Sequence, residues 1–537
     1  MTSYTDSSSL SSRADRTFDA IVVGSGITGG WAAKELTQKG LRTLVLERGR
    51  PVEHVSGYPT ANLNPWDVPY RGLDTRDRVA DYAVQSRNYA FSDATKHFYA
   101  KDVDYPYTQQ SPFWWIRGYQ VGGKSLLWGR QTYRWSDLDF TANARDGHGV
   151  DWPIRYKDLA PWYSYVERYV GITGQTENIP HLPDSEFLPP FEMNCVEKWM
   201  KGKVEAQFPG RRMSIGRAAH LTVAHRGRGL CQSRSLCERG CPYGGYFSSV
   251  SSTIPDARQT GRLTLQTDSV VIAVLFDGNK QRANGVRVLD TKTNRTTDYF
   301  ARVIFLNAGT LNTTWLLLNS TSSRFPNGFG NDSDTLGRHL MDHQKNVGAV
   351  ASVEGFDDSY YYGRRPVQCV IPRFRNISPE TRRTDYLRGF MTYGGAGRSG
   401  WQHVTAQPGF GADLKEAGTQ PGPWEVRLAN YGECLPYADN RVTLNHQVLD
   451  VNGLPTLTID AKFRENEIAM RKDMGSASME MLDRIGLKNV RLWDEANVIG
   501  FAVHEMGTAR MGRDPKTSML NGHNQLHAAK NVFVTDG

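Results

Sequence analysis

The stretch FDAIVVGSGITGGWAAKELTQKGLRTLVLERG, residues 18–49, decides the fold of this 537-residue chain. Its pattern predicts a buried strand over Ala20–Val23, a glycine turn, a helix over about Thr28–Lys39 and a second strand over Thr43–Glu47. A strand, a crossover helix and a strand within this length form the opening unit of a doubly wound sheet of parallel strands. The stretch therefore indicates an α/β fold.

The turn of this unit carries the spacing G-x-G-x-x-G at Gly24, Gly26 and Gly29. The first glycine permits the tight turn, the second lets the backbone approach a pyrophosphate, and the third lets the helix pack closely on the strand. The helix begins at Ile27 and Thr28, where free N–H groups and a partial positive charge face the phosphates. We therefore expect a dinucleotide at this turn.

The acidic residue Glu47 ends the second strand, 18 residues after Gly29. A carboxylate at this place accepts hydrogen bonds from ribose hydroxyls and repels a 2′-phosphate, which argues against NADP. We expect Glu47 and the adjacent Arg48 to contact the nucleotide. The glycine turn by itself leaves NAD and FAD both open.

Two further segments bear on the choice of cofactor. The loop RGYQVGGKSLLWGR (117–130) has small residues that would let backbone lie against a flat ring system. At the other end of the sequence, NVFVTDG (531–537) predicts a buried strand that places a carboxylate at phosphate or ribitol hydroxyls. The cofactor residues expected from these two segments are Gly122, Gly123, Ser125, Trp128, Gly129, Asp536 and Gly537.

Composition excludes several classes of protein. The 64 Lys and Arg against 56 Asp and Glu give a net charge of +8 that is spread along the chain, so a nucleic-acid-binding stripe is not indicated. No apolar run reaches the roughly 18 residues of a membrane-spanning helix, and the N-terminus lacks the apolar core of a secretory signal. Six cysteines exclude a disulfide scaffold.

The remaining segments of the chain predict irregular stretches, helices and strands in turn. We expect a disordered arm over 1–17 and irregular excursions over the surface from about 50 to 116. The other predictions are a helix at 156–170, strands between 263 and 309, turns and short strands over 346–460, a long helix over about Glu465–Ile485 and a final strand near the C-terminus.

Five pieces together resemble the glucose–methanol–choline (GMC) oxidoreductase family, which uses FAD. They arrive in family order and span nearly the whole chain: VVGSGITGG (22–30), VGGKSLLWGR (121–130), VIFLNAGTLNTTWLLLNS (303–320), LGRHLMDH (336–343) and HEMGTARMG (504–512). The resemblance implies a discontinuous FAD domain (18–145, 226–345, 491–537) and a substrate domain with a largely antiparallel sheet (146–225, 346–490). It also implies FAD contacts from Ala308 and Gly309. Pyranose oxidases of this family bind flavin covalently through a histidine in the loop equivalent to 121–130. That loop contains no histidine here, so we expect non-covalent FAD.

His504, which opens HEMGTARMG, aligns with the catalytic histidine of the family. A neutral imidazole suits removal of a hydroxyl proton while the hydrogen on carbon passes as hydride to flavin N5. His343, in LMDH, is interpreted as part of a structural turn near the active site. The family places an Asn or a second His about forty residues after its catalytic histidine, so we expect that partner beyond Gly537. An incomplete active site is the alternative.

Three cysteines occur within eleven residues, at Cys231, Cys237 and Cys241. The C-x5-C-x3-C spacing followed by proline fits zinc poorly and favours iron–sulfur ligation, with three ligands indicating a [3Fe–4S] cluster. The spacing also resembles the cluster motif of large subunits of heteromeric bacterial FAD sugar dehydrogenases. A disulfide with one free thiol and zinc both stay open. So does a distant fourth ligand among Cys195, Cys369 and Cys434. The basic residues Arg226, Arg228, Arg234 and Arg239 would offset the charge of a cluster, or form a solvated loop.

A one-electron carrier favours a dehydrogenase with an external acceptor over an oxidase. The resemblance implies an enzyme that oxidises a secondary hydroxyl of glucose or a glucoside at C3, with a small subunit, a cytochrome c-type acceptor and a periplasmic location. The alternatives are oxidation at C1 or C2, a gluconate or polyol substrate, a catalytically silent electron-transfer subunit, and a cytoplasmic location. Tyr393 and Trp401 are candidates to stack on a pyranose ring.

Overall fold

The structure is a computed structural model that describes residues 12–64, 66–72, 75–359, 365–400, 403–404 and 408–537. Its α-helices are α1 (Ile27–Gln38), α2 (Arg76–Asp81), α3 (Asp137–Phe140), α4 (Ala142–Asp146), α5 (Tyr156–Val170), α6 (Cys195–Gln207), α7 (Thr253–Gln259), α8 (Thr310–Asn319), α9 (Gly411–Ala417) and α10 (Glu465–Arg484). Its strands are β1 (Thr17–Val23), β2 (Thr43–Leu46), β3 (Thr108–Gln109), β4 (Ser214–Ile215), β5 (Leu263–Gln266), β6 (Ser269–Asp277), β7 (Arg282–Asp290), β8 (Arg295–Leu306), β9 (Val347–Val353), β10 (Cys369–Ile371), β11 (Phe390–Arg398), β12 (Trp424–Gly432), β13 (Arg441–Leu449), β14 (Pro455–Asp460), β15 (Lys488–Asp494), β16 (Gln525–Leu526) and β17 (Ala529–Val534).

The first sheet has eight strands, and its central part is parallel. Strands run in the order β16-β17-β8-β1-β2-β5, with the hairpin β6–β7 attached to β8. The pairs β17–β8, β8–β1, β1–β2 and β2–β5 are all parallel. The opening strand–helix–strand unit is present, since β1, α1 and β2 begin and end within three residues of the predicted bounds. The α/β class predicted from residues 18–49 is confirmed.

The parallel arrangement brings distant segments to one edge of the sheet. The carboxyl ends of parallel strands meet at the same edge, which is where α/β proteins bind ligands. Here β1 leads into the glycine turn, β2 into Glu47, β8 into Asn307–Gly309 and β17 into Asp536–Gly537. Four stretches that lie up to 500 residues apart are thereby neighbours.

The glycine turn has no room for side chains at two of its three glycines. Gly24 has φ +95°, and a Cβ there would stand 2.4 Å from the carbonyl oxygen of Asn307. A Cβ on Gly29 would stand 2.0 Å from the carbonyl oxygen of Gly24, whereas one on Gly26 meets no atom within 4 Å. The first and third glycines therefore serve packing, and the second leaves open space beside the turn.

The second sheet is antiparallel and has six strands in the order β15-β9-β12-β11-β10-β4. Helix α10 packs against it through buried methionines such as Met470 and Met474. The fully buried amide of Asn430 joins the two layers, because its Nδ2 donates to the carbonyls of Val347 and Met474 at 2.9 and 3.2 Å. A small third sheet holds β13, β14 and β3. The helix predicted over about Glu465–Ile485 is confirmed as α10.

The expected domain boundaries stay predictions. The strands of the eight-stranded sheet come from the three segments assigned to the FAD domain, and β9–β12 of the second sheet come from the second and larger of the two substrate segments. In the described part of the chain, no helix is both long and apolar enough to cross a membrane.

Two expectations differ from the structure. The segment 50–116 is irregular as predicted, but it does not run only over the surface: Phe98 and Phe113 have no exposed area, whereas Trp66, Tyr70 and Tyr89 are exposed. Large aromatic side chains gain most from burial, and they hold an irregular backbone in place without a helix or strand. The predicted disordered arm ends earlier than residue 17, because β1 already begins at Thr17; residues 1–11 lie outside the described residues.

Alanine substitutions at Gly29 and Gly26 should separate folding from nucleotide binding. We expect Gly29→Ala to lower the free energy of unfolding by about 1–3 kcal/mol, because its methyl group collides with backbone. Gly26→Ala, at φ −63°, should leave the thermal unfolding midpoint of the flavin-free protein unchanged or slightly raised, yet lose bound nucleotide. Calorimetry and flavin absorbance of the purified variants measure both; equal destabilisation by the two changes would contradict the assignment.

Candidate active site

A cavity of about 400 Å³ opens at the carboxyl edge of the parallel strands, a size usual for cofactor and ligand sites. Most of the residues predicted to bind FAD line it: Gly24, Gly26, Ile27, Thr28, Glu47, Arg48, Gly123, Ser125, Trp128, Gly129, Ala308, Gly309, Asp536 and Gly537. His504 lines the same cavity. Gly29 and Gly122 do not line it, because the first packs under the turn and the second is held against Ser25.

The carboxylate of Glu47 braces this part of the cavity. Its Oε2 accepts from the backbone N–H of Ser25 at 3.1 Å and from the Ser25 hydroxyl at 2.6 Å, and its Oε1 accepts from the N–H of Gly49 at 2.9 Å. The Ser25 hydroxyl oxygen also accepts from the N–H of Gly122 at 3.1 Å. Glu47 therefore links the two glycine turns to the end of β2. Its expected contact with ribose stays a prediction, since its carboxylate already has three protein donors.

Asp536 plays a similar part at the start of α8. Its Oδ2 accepts from the N–H of Gly309 at 2.8 Å and from the Thr313 hydroxyl at 2.6 Å. Burial raises the pKa of Asp536 to about 6, although these two bonds oppose the shift. The other oxygen, Oδ1, is buried without a hydrogen-bond partner. A buried acceptor of this kind is satisfied when a ligand donates to it, as a ribitol hydroxyl does.

The cavity walls fit a dinucleotide at two more places. A Cβ on Gly309 meets no atom within 4 Å, so backbone at the N-terminus of α8 lies open to the cavity as it does at Gly26. The guanidinium of Arg48 lies 3.9 Å from the ring centre of Tyr119 and donates to Asn312 Oδ1 at 3.2 Å. Open backbone at two helix N-termini suits the pyrophosphate.

The ring of His504 faces the cavity. Its depth in the protein lowers the pKa of His504 from the ordinary value near 6.5 to about 3, and the charges of His343, Lys345 and Lys124 act in the same direction. His504 is therefore neutral at ordinary pH. A neutral imidazole has a lone pair available, which is the state that a general base requires.

His343 contacts His504 directly, which the sequence did not indicate. The two Nδ1 atoms lie 3.2 Å apart, and the rings stand nearly perpendicular, at 88°. From the sequence, His343 was interpreted as part of a structural turn near the active site, and in the structure it lies in a turn directly after Asp342. The family-like LMDH motif was a signal for a position near the site, but nothing local to it specifies a partner 161 residues away.

The buried carboxylate of Asp342 fixes both histidine backbones. It accepts from the N–H groups of His504 at 3.0 Å, His343 at 2.9 Å and Ala502 at 3.0 Å. Burial raises the pKa of Asp342 to about 7, and the nearby Glu505 adds to this. Asp342 and the two imidazoles offer atoms within 4.8 Å of one another. These atoms are engaged with backbone donors and with each other, so we interpret the group as a hydrogen-bond network.

Two lysines and two tyrosines complete the reacting end of the cavity. Lys124 Nζ pairs with Glu505 Oε2 at 2.8 Å. Burial lowers the pKa of Lys345 to about 8. Tyr431 lines the cavity 5.5 Å from the His504 ring centre and stacks on Tyr393 at 4.8 Å. Tyr393 thus lies behind the cavity wall, and Trp401 lies outside the described residues.

The three clustered cysteines lie apart from this cavity. All three thiols are free, and each sulfur has one nitrogen directed at it. The N–H of Ser233 lies 3.4 Å from Cys231 Sγ, the N–H of Gly245 lies 3.3 Å from Cys241 Sγ, and His220 Nε2 lies 3.8 Å from Cys237 Sγ. The disulfide alternative does not describe this structure.

A single zinc ion does not fit the thiols either. Ligands 2.3 Å from a tetrahedral zinc would place their sulfurs about 3.8 Å apart. Among the described residues, which include the whole loop, the three Sγ atoms of Cys231, Cys237 and Cys241 do not all lie within 4.8 Å of one another. Burial raises the pKa of Cys237 to about 11 and the charge of Arg130 opposes this, while the other two thiols raise it further, so the three groups are electrostatically coupled.

The arginine that acts on the thiols is Arg130. Its side chain is only 4% exposed, it lies 4.4 Å from the Tyr246 ring centre, and its Nε and Nη2 have no hydrogen-bond partner. Next to it, the fully buried His220 has an unpartnered Nδ1. The third nitrogen of Arg130, Nη1, lies 3.5 Å from Glu238 Oε1, so the guanidinium has one acidic partner while Nε and Nη2 lack acceptors. A negatively charged thiolate cluster would supply acceptors to these two buried donors.

The basic residues near the thiols have partners outside the cysteine loop. Arg228, Arg234 and Arg239 donate to backbone carbonyls, and Arg226 lies 3.7 Å from Asp256; their expected part in offsetting the charge of a cluster stays a prediction. The possible fourth ligands lie elsewhere: Cys195 and Cys369 belong to the core beside the six-stranded sheet, and Cys434 bonds to the carbonyl of Leu435. The predictive signal for Arg130 was its place directly after cavity-lining Gly129.

The chain matches known proteins along most of its length. A family model described as GMC oxidoreductase matches residues 18–345, and a second with the same description matches residues 436–537. The 2-methyl-1,2-propanediol dehydrogenase of Mycolicibacterium austroafricanum is 25% identical over 98% of this chain and 91% of its own length. The fructose dehydrogenase large subunit of Gluconobacter japonicus is 24% identical over 97% of this chain and 92% of its own length.

A solved structure agrees with the architecture. The crystal structure of pyridoxine 4-oxidase from Mesorbium loti matches with a TM-score of 0.58 at 17% identity, covering 96% of this chain and 93% of that one. At this identity the match supports the fold alone. Together with the family models, which cover well over half of the residues, the resemblance inferred from five sequence pieces is confirmed. The chain belongs to the GMC oxidoreductase family and is an FAD-dependent oxidoreductase that acts on CH–OH groups.

Proposed function

We propose that the protein is an FAD and iron–sulfur dehydrogenase that oxidises a secondary hydroxyl of glucose or a glucoside at C3. His504 acts as the base, and the electrons leave through a [3Fe–4S] cluster to an external acceptor such as a cytochrome c. The observation that carries the proposal is the free thiol triplet, with one nitrogen directed at each sulfur and beside it the buried Arg130, whose Nε and Nη2 have no hydrogen-bond partner.

Different residues of the cavity bind FAD and remove the proton. The glycine turn and the N-terminus of α8 would hold the pyrophosphate, and Asp536 would accept from the ribitol hydroxyls. When bound, FAD accepts a hydride from the carbon that carries the hydroxyl. His504 removes the hydroxyl proton, and Tyr431 limits the space on the substrate side. Neutral His504 is suited to this because its lone pair is not already protonated.

The cysteine loop suits a polynuclear cluster rather than a single metal. The thiols Cys231, Cys237 and Cys241 would be its ligands. Hydrogen bonds to the sulfurs and nearby charge set the potential of such clusters, and both are present here. When bound, the cluster carries single electrons onward. An oxidase that passes electrons straight to oxygen has no use for such a carrier, so the loop supports a dehydrogenase.

The loop lies directly behind the wall of the flavin cavity. Trp128, which lines the cavity, donates from Nε1 to the carbonyl of Phe247 at 3.0 Å, and the Tyr246 hydroxyl donates to the carbonyl of Leu126 at 3.3 Å. These two bonds tie the cavity segment to the residues that follow Cys241. A short connection of this kind supports electron transfer between the two sites.

The substrate and partners rest on similarity. Relatives named for a sugar and for a diol support a hydroxyl compound as substrate. The C3 position rests only on the resemblance of the sequence to bacterial FAD sugar dehydrogenases, among them glucoside 3-dehydrogenases. The relative named as a large subunit supports a small subunit and a separate acceptor. A small subunit that carries an export signal would place the complex in the periplasm; a cytoplasmic complex is the alternative.

Product analysis tests the substrate and the oxidised carbon together. The holoenzyme is incubated with methyl glucoside, glucose, fructose or gluconate and an artificial electron acceptor, and the products are identified by NMR. A 3-keto glucoside supports the proposal. Ketones or lactones at C1 or C2, or oxidation of gluconate or a polyol alone, would replace the substrate assignment, and flavin that no hydroxyl compound reduces would indicate a silent electron-transfer subunit.

Replacing His504 tests the base. His504→Ala should lower the rate of flavin reduction by about 10²–10⁴-fold, the usual contribution of a general base, while FAD stays bound. Stopped-flow absorbance gives the rate, and the visible spectrum gives the FAD content. Loss of FAD together with activity would mean that His504 holds the cofactor instead.

The pH dependence of flavin reduction gives a second test of His504. Because burial and the charges of Lys345 and Lys124 lower the pKa of His504 to about 3, the imidazole stays unprotonated from pH 8 down to about pH 5. We therefore expect His504 to contribute no acid limb near 6.5 to the rate of anaerobic flavin reduction; the carboxyl of Asp342, whose pKa burial raises to about 7, also titrates in this range. A limb at 6.5 that persists in Asp342→Asn would show that an imidazole of ordinary pKa controls the step.

A cysteine pair tests the cluster. Cys237→Ser should remove iron and acceptor-linked turnover, while sugar still bleaches the flavin, because the hydride step needs only the cavity. Cys195→Ser, at the start of α6 and remote from the loop, is the matched control and should keep its iron. Metal analysis measures the iron content of each variant, and visible absorbance measures how far sugar bleaches the flavin. Unchanged iron in Cys237→Ser would refute the ligand assignment.

A further inference from the structure

His343 is placed as a proton acceptor that the proposed reaction has not used. The 3.2 Å separation of the two Nδ1 atoms is hydrogen-bonding distance, so one imidazole donates and the other accepts. Unlike His504, His343 does not line the cavity. Its ring edge meets Tyr431, with the ring centres 6.2 Å apart.

The contact fixes which nitrogen of His504 can act. A neutral imidazole carries one proton. If His504 Nδ1 donates to His343, then His504 Nε2 has a free lone pair and can take a proton from the cavity. If His343 donates instead, His504 Nδ1 is the acceptor and the hydrogen of His504 is on Nε2. His504 then offers no lone pair to the cavity. Only the first arrangement agrees with His504 as the base.

The surrounding charges favour a proton on His343 over one on His504. Positive Lys345 and Lys124 act against a charged His504. The charge that acts on His343 is negative Glu433, which follows β12 and pairs with Arg373 at 2.8 Å. The other ionisable groups nearby are Asp342 and Glu505 from the adjoining segments and Tyr431 from β12.

We propose that His343 receives a proton from His504 as His504 takes the hydroxyl proton, so that the two imidazoles form a relay leading out of the cavity. This rests on the proposed role of His504 as base. The proton moves from the substrate oxygen to His504 Nε2, and the proton already on His504 Nδ1 moves to His343 Nδ1. His343 becomes the imidazolium and His504 is neutral again, with Nε2–H facing the product carbonyl. The electron pair of the C–H bond leaves with the hydride, as stated above.

The relay removes a conflict in the cavity. A positive His504 would stand beside two lysines in a site that already lowers its pKa to about 3. Passing one proton across 3.2 Å transfers the positive charge to the ring that faces Glu433. His343 is therefore a positioning residue for the tautomer of His504 in the resting enzyme and the proton acceptor during turnover.

Two variants of His343 and a solvent-isotope measurement test the relay. Asn keeps a group that accepts a hydrogen bond from His504 Nδ1 but cannot take its proton, whereas Leu does neither. We expect both His343→Asn and His343→Leu to slow anaerobic flavin reduction by about 10²-fold, the low end for a proton-transfer group. In mixtures of H2O and D2O, the wild-type rate should fall along a curve, because two protons move together, and the rate of His343→Asn should fall linearly.

Measurements without turnover keep the test independent of activity. FAD absorbance should be equal in wild type, His343→Asn and His343→Leu. In ¹⁵N-histidine-labelled holoenzyme without substrate, His504 should carry its hydrogen on Nδ1, with His343→Asn and His504→Asn spectra giving the assignments. A hydrogen on His504 Nε2 in the resting enzyme would overturn the relay.

The remaining outcomes separate this inference from the proposed function. A linear isotope response in wild type, a wild-type rate in His343→Asn, or a curved response that survives in His343→Asn would each overturn the relay and leave His504 as the base. If His504→Ala reduces its flavin at the wild-type rate, the base itself is wrong and the relay falls with it. If the substrate is a different sugar, or a different carbon is oxidised, the assignment of His504 as the base and the relay through His343 both stand.

Discussion

The buried carboxylate of Glu47 is the interaction on which the rest of the cavity depends. It accepts from the backbone and hydroxyl of Ser25 and from the backbone of Gly49, and Ser25 in turn holds Gly122. Burial raises the pKa of Glu47, and the hydrogen bonds from these donors act in the opposite direction. Together with Ser249, which bonds to Ser25 and to Ser125, this carboxylate holds in place two glycine turns that lie almost 100 residues apart.

Two other carboxylates at the cavity, those of Asp536 and Asp342, also accept hydrogen bonds from backbone N–H groups. Asp536 accepts from the first turn of α8, and Asp342 accepts from the backbones of three residues around the reacting histidines. Each carboxylate lies at or near the end of a chain segment and collects N–H groups that no helix or strand uses. Such groups must be paired when they are buried, and one short acidic side chain can pair two or three of them. The acidic residues of the site thus hold the backbone around the cavity in place, in addition to any contact they make with a ligand.

The reacting end combines neutral bases with positive neighbours. The surrounding protein lowers the pKa of His343 and that of His504, whose side chain is open to the cavity, and the two lysines make a charged His504 still less favourable. Positive charge near the flavin favours the negative charge that a hydride brings, whereas a base there must not keep the proton it takes. A second imidazole on the far side of the first reconciles the two requirements.

Sequence alone determined the α/β class, the nucleotide turn, the family resemblance and the thiol triplet. Each of these depends on residues close together in the chain, where spacing fixes geometry: the glycines of 24–29, the strand and helix periods of 18–49, and the cysteines of 231–241. Helices α5 and α10 were predicted for the same reason, since their apolar period is local.

Only the tertiary structure decided which side chains meet. His343 contacts His504 across 161 residues because the segment just before β9 pairs with Met506 and with the end of β12, and no local pattern encodes that convergence. Arg130 faces the cysteine loop rather than the flavin cavity because its φ of +60° turns the chain away directly after Gly129. The segment 50–116 was expected to run over the surface because it has no regular period, yet Phe98 and Phe113 within it are fully buried, because burial depends on what packs over a segment and not on its own period. The sequence therefore specified the elements and the chemistry available, while the packing of distant strands specified the site.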